Sequence, residues 1–156
     1  MADEPAEQNL TPEQAAERER LAQARLWLQQ ADADLVAARD NIKARHYNWA
    51  CYMAEQAGEK AVKAVYIFRD HPFKRIHWIG DLISGDEHRG LPGVPELKEW
   101  EAAARQLDQL LTSTRYPDAV PGNDLPAKFY TEFEADECVE WAQQIVAAVR
   151  NLLPTI

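Results

Sequence analysis

Residues 49–77 read WACYMAEQAGEKAVKAVYIFRDHPFKRIH, and this stretch decides the fold. Ala50, Ala54, Ala57, Ala61 and Ala64 recur at alternating steps of four and three. That spacing places all five on one face of a helix. A face so small lets a neighbouring helix come close. Gln56, Lys60 and Lys63 stand at i, i+4 and i+7 and line one edge of the same helix, with Glu59 among them. Two readings of that edge are open. In the first it is the solvated charged margin of a core helix. In the second, Gln56, Glu59 and Lys60 form a polar constellation inside a bundle.

Working outward, Asp70-His71-Pro72 ends this helix near Phe68, because a proline disfavours helical geometry in the residue before it. On the other side, Ala44 to Asn48 is a short turn, and short turns make antiparallel neighbours. The preceding helix spans roughly 12–43. Thr11-Pro12-Glu13-Gln14 starts it with a cap, a first-turn proline and a capping box. Leu21, Ala24, Leu28, Ala31, Leu35, Ala38 and Ile42 supply its apolar stripe. Beyond residue 75 a brief third helix is expected over Ile76 to Ser84. A fourth is expected over Pro95 to Thr114, carrying Leu97, Trp100, Ala104, Leu107 and Leu111 on one face. Residues 117–130 hold three prolines and a glycine and read as a loop. Thr131-Glu132-Phe133-Glu134 is a second capping box, and it opens a fifth helix that Pro154 stops.

The expected fold is therefore all-α: an up-and-down bundle of four long helices plus one short one. Composition agrees. Alanine, leucine, glutamate and glutamine dominate, glycine is scarce, and strand-like alternation is rare. The chain is long enough for one domain with a proper core, expected over residues 11–156. Residues 1–10, MADEPAEQNL, read as an acidic disordered tail without the features of a signal peptide. No apolar run approaches the ~20 residues of a membrane span. The formal net charge of −9 disfavours nonspecific binding to nucleic-acid backbones but leaves room for a local basic pocket. Cys51 and Cys138 sit within helical patterns without metal-ligand spacing, and read as small buried apolar residues of a cytoplasmic protein.

Four segments carry a family resemblance: Trp27 to Leu35 (WLQQADADL), Tyr52 to Ala64 (YMAEQAGEKAVKA), His77 to Leu82 (HWIGDL) and Arg115 to Asp118 (RYPD). In this order and spacing the chain resembles the HEPN domain family, over about Leu26 to Leu153. The resemblance implies a helical bundle, often a homodimer, often encoded beside a small nucleotidyltransferase and acting with it as a toxin–antitoxin pair. Some members are ribonucleases that use an arginine followed shortly by a histidine late in the chain. This sequence departs from that motif. Its histidines are His46, His71, His77 and His88, and none follows. Arg39 and His46 have a similar spacing but fall on the first helix and first turn, and read as a chance match.

The family-matched polar positions are Gln56, Glu59, Lys60, His77, Arg115 and Tyr116, with Lys63 beside them. In a structural reading they pair inside the bundle and fix its register, as buried charges must. In a functional reading they form an anion or nucleotide site. Lys60, Lys63, Arg69, Lys74, Arg75 and Arg115 would supply charge, with Tyr116 or Trp78 stacking on a base. No glycine-rich phosphate loop accompanies them. Either way, Gln56, Glu59 and Lys60 are expected to meet His77 and Arg115-Tyr116. No catalytic residue, metal ligand or cofactor is assigned, and His77 with Glu59 is the one acid–base pairing available. The expectation is a binding or regulatory HEPN protein, leaning away from an enzyme. It would be homodimeric, partnered by a minimal nucleotidyltransferase, with a nucleotide or RNA as ligand. The alternatives are a ribonuclease of the family and a stand-alone nucleotide-binding module.

Overall fold

A computed structural model describes residues 10–73 and 75–155. The acidic segment read as a tail lies outside them except for Leu10, and so does Lys74. Seven α-helices are present among the described residues: α1 (Pro12–Lys43), α2 (Tyr47–Phe68), α3 (Ile79–Ser84), α4 (Glu101–Asp108), α5 (Leu110–Ser113), α6 (Pro126–Phe129) and α7 (Glu132–Leu152). The long ones are α1, α2 and α7. Both capping boxes form as read. Thr11 and Gln14 exchange bonds at the start of α1, and Thr131 and Glu134 do so at the start of α7.

α2 is the central helix. It packs most extensively against α1 and α7, and also meets α3, α4, α5 and α6. Its residues from Ala61 to Tyr66 are buried without interruption, so it is enclosed on all sides rather than on one stripe. Gly58 shows why. A Cβ there would lie 3.0 Å from Ile79 Cδ1, 3.6 Å from Leu107 Cδ1 and 3.9 Å from Ile145 Cδ1. The space of the missing side chain is filled by α3, α4 and α7 together.

The fourth helical segment differs from the single long rod expected. Pro95–Trp100 is a 3₁₀ turn, α4 follows it, and a break at Gln109 separates α4 from α5. The Gln109 amide reaches the Arg105 carbonyl only at 3.4 Å. The apolar residues Leu97, Ala104 and Leu107 still face the core, which is what their periodicity reported, but the hydrogen-bond ladder is interrupted. α3 begins at Ile79 rather than Ile76. The loop over 117–130 holds a 3₁₀ turn, Pro117–Ala119, as well as α6. Tyr66 ties the middle of the chain together: its hydroxyl donates to the Leu82 carbonyl at 2.7 Å and accepts from the Gly93 amide at 3.1 Å.

Candidate functional site

The polar residues of α2 are held by one another and by their neighbours. Lys63 Nζ donates to Glu59 Oε1, and both side chains are buried. His77 Nδ1 lies 3.1 Å from the same oxygen. Gln56 Nε2 donates to Glu59 Oε2 at 3.4 Å and to Glu55 Oε2 at 2.8 Å. Phe73 closes over the cluster, with the Lys63 ammonium 5.5 Å from its ring centroid. Gln56, Glu59, Lys63 and His77 are therefore brought together.

Lys60 and Arg115 go elsewhere. Lys60 Nζ donates to Asp34 Oδ2 at 2.6 Å and so ties α2 to α1. Gln30 Nε2 donates to the other oxygen of Asp34 at 2.9 Å. Arg115 donates from Nε to the Leu111 carbonyl at 2.9 Å. Its guanidinium lies 4.8 Å from the ring centroid of Tyr52 and 5.0 Å from that of Tyr116. It makes no bond with Glu59 or His77 among the described residues. Tyr52 precedes Glu59 by two turns of α2, about 10 Å along the axis. The expected single constellation is thus two groups on one helix: an ionic cluster around Glu59 and an arginine–tyrosine stack nearer the start of α2.

Two buried acids complete the first group and were not singled out from sequence. Glu55 is wholly buried, and among the described residues its Oε1 has no hydrogen-bond partner. Burial pushes its pKa up to about 8. The Gln56 amide opposes that rise, the Glu59 and Asp108 carboxylates add to it, and Lys60 opposes it. Glu55 therefore carries a proton at neutral pH. Asp108, at the end of α4, accepts from the Ile79 amide at 2.7 Å and the Gly80 amide at 2.8 Å. It thereby satisfies the otherwise unpaired first amides of α3. Burial raises its pKa to about 6 against those two bonds. The signal for Glu55 lay in its setting. It follows Ala54 and precedes Gly58 by three residues, so small residues flank it on both sides. For Asp108 no local signal exists, because its partners lie nearly thirty residues away.

Lys60 and Lys63 are neutralised by Asp34 and Glu59, so neither offers a free charge to a phosphate. The remaining basic candidates divide. Arg69 is paired with Glu96 at 2.6 Å, and Arg75 is exposed. No three His, Cys, Asp or Glu side chains converge as a metal site would need, among the described residues. Cys51 and Cys138 are buried. The Cys138 thiol is pushed up by its hydrogen bond with Cys51 and by burial. No helix among the described residues is long and apolar enough to cross a membrane.

An all-helical domain with an ionic cluster at the centre of its middle helix is the class that this geometry defines. The HEPN domain model matches residues 24–152, and the chain belongs to the HEPN domain family. It is 27% identical over 140 residues to a protein of Methanocaldococcus jannaschii named "Putative toxin MJ1304", covering 83% of this chain and 88% of that one. Among solved structures it is similar to TT1696 from Thermus thermophilus, with a TM-score of 0.70 and 36% identity. That match covers 82% of this chain and 96% of the other. It is also similar to ST0689, an archaeal HEPN homologue, with a TM-score of 0.64 and 31% identity, covering 84% and 98%.

Proposed function

We propose that this protein is a binding and regulatory member of a two-protein, toxin–antitoxin-like pair in the cytoplasm, and that its partner is a minimal nucleotidyltransferase. The observation that carries this reading is the disposition of charge. Glu59 and Lys63 of α2 are bound to each other and Lys60 to Asp34 of α1, which makes them a scaffold for α1, α2 and the segment before α3. Half-buried Arg115 has no carboxylate partner among the described residues and lies beside exposed Tyr116. Recognition therefore centres on a surface anion contact at Arg115 and Tyr116 rather than on chemistry at the buried cluster. The toxin wording in the name of the Methanocaldococcus jannaschii relative supports the same assignment. Half-exposed Trp49 and Trp78 suit a homodimer or a partner face, where large aromatics are common.

Co-expression with the product of the adjoining reading frame tests the pair. A stable complex with a small nucleotidyltransferase is expected, and no complex contradicts it. Nucleotide binding is tested separately by the melting temperature, which rises with any ligand that binds the folded state alone. An unchanged melting temperature at millimolar nucleotide removes that part of the reading.

A second reading, ribonuclease activity, is favoured by one feature. Glu59 holds His77 through Nδ1, and the imidazole is 60% exposed, so Nε2 is open to act as a base. It predicts RNA cleavage lost in His77→Ala. RNA left intact by the wild-type protein contradicts it.

A further inference from the structure

Several arginines of this acidic chain already have a carboxylate. Arg69 pairs with Glu96, Arg89 with Asp81 and Asp86, Arg105 with Asp81 and Glu101, and Arg150 with Asp32. Arg115, like Arg20, Arg25 and Arg39, is held by a neutral acceptor and has no anion among the described residues, but of these four it is the one flanked by two tyrosine rings. Its Nε is spent on the Leu111 carbonyl, and the rings of Tyr52 and Tyr116 lie against the guanidinium at 4.8 and 5.0 Å. Among the described residues, neither terminal nitrogen bonds an acceptor. What remains free is one edge of the guanidinium, the pair Nη1 and Nη2. That edge is a two-pronged fork for an oxyanion lying in its plane, and its orientation is set before any ligand arrives.

The surroundings say which oxyanion. Trp49 packs edge-on against Tyr52 with ring centroids 6.0 Å apart, and it is 43% exposed. Tyr116, on the other side, is 49% exposed. Trp49, Tyr52, Arg115 and Tyr116 thus form a continuous row, exposed at its two ends and half-buried at Tyr52 and Arg115. Tryptophan, tyrosine and arginine are the residues that concentrate binding energy at protein–protein contacts. A net charge of −9 repels a ligand that carries several phosphates, whereas a single carboxylate set among apolar groups meets one matched cation.

We infer that the Arg115 fork and its aromatic row form a docking point for an acidic side chain, aspartate or glutamate, flanked by apolar residues on a partner protein. This rests on the pair reading above and names the surface through which that pairing acts. The free oxyanions of phosphate and nucleotides share the chemistry, so the test separates them.

The full-length protein, ¹⁵N-labelled, is titrated with a short peptide of one aspartate between leucines. The same peptide with asparagine, inorganic phosphate and AMP serve as the other arms. The aspartate peptide is expected to move the Arg115 side-chain signals and the Trp49 indole N–H signal, and the asparagine peptide is not. Arg115→Lys keeps the charge but loses the planar fork, and is expected to weaken the peptide by about tenfold with an unchanged melting temperature. Equal binding by Arg115→Lys, no binding by the aspartate peptide, or tighter binding of phosphate or AMP at these residues overturns the inference. Complex formation with the nucleotidyltransferase is read in parallel. A complex that Arg115→Lys leaves intact keeps the pair and removes this docking point. Peptide binding without any complex keeps the docking point and removes the pair.

Discussion

Glu59 Oε1 lies 3.1 Å from His77 Nδ1, which joins the middle of α2 to the segment that leads into α3. The same oxygen accepts from the buried Lys63 ammonium. One carboxylate oxygen therefore neutralises a buried cation and anchors a loop.

The Glu59–Lys63 pair is buried on both sides, so the cost of breaking it differs from the cost of replacing it. Glu59→Ala strands the Lys63 ammonium in the core and is expected to destabilise the fold by about 3–5 kcal/mol. The double replacement Glu59→Met with Lys63→Met removes both charges and is expected to cost far less, or to stabilise. Urea denaturation of the wild-type, single and double variants decides the point. Equal losses in the single and double variants would mean that the pair is not the source of the penalty.

Glu55 sets a pH dependence with a definite sign. Its folded-state pKa is raised to about 8 from 4.5. Below pH 4.5 both states are protonated and its stabilising contribution is fully present. Between 4.5 and 8 the unfolded chain releases the proton and the folded one keeps it, so stability falls with rising pH, by at most ~1.4 kcal/mol per unit. Above 8 the loss is complete. Asp108, raised to about 6, adds a smaller loss of the same sign between 3.8 and 6. Glu55→Gln has no proton to lose and is expected to flatten the slope between about pH 6 and 8. Unfolding free energies at several pH values check this, and a slope unchanged by the substitution would place the titration on another group.

Asp108 holds the first two amides of α3. Asp108→Ala leaves both buried and unpaired, at an expected cost of about 1–3 kcal/mol. Hydrogen exchange at Ile79 and Gly80 should accelerate first, ahead of α1 and α7. Unaltered exchange at those two positions would show that another acceptor replaces the carboxylate.

Much of this architecture was legible in the sequence. The bounds of α1 and α2 follow, to within two residues, from the Thr11 capping box, the turn read at Ala44 to Asn48 and the Asp70-His71-Pro72 stop, all of which are local signals. The clustering of Gln56, Glu59 and Lys63 follows from helical spacing, and His77 is close in the chain. The destination of Arg115 was not legible. Its place depends on the break at Gln109 and on which turn of α2 the end of α5 meets, and neither leaves a mark in the spacing of apolar residues. The partner of Lys60 was not legible for a related reason. Periodicity gives the edge on which it lies but not the neighbour, and Asp34 on α1 reaches it before any ligand could. Glu55 carried no reading from sequence: a helical glutamate is ordinarily solvated, and only the packing of α2 against its neighbours buries it.

If this HEPN protein acts by binding a nucleotidyltransferase partner, with the α2 cluster as scaffold, the two chains must associate. The most direct test is the mass, in solution, of the protein co-expressed with the product of the adjoining reading frame. A complex of the two chains that survives purification is predicted. A protein that elutes without that product, at any ratio of the two, would contradict it.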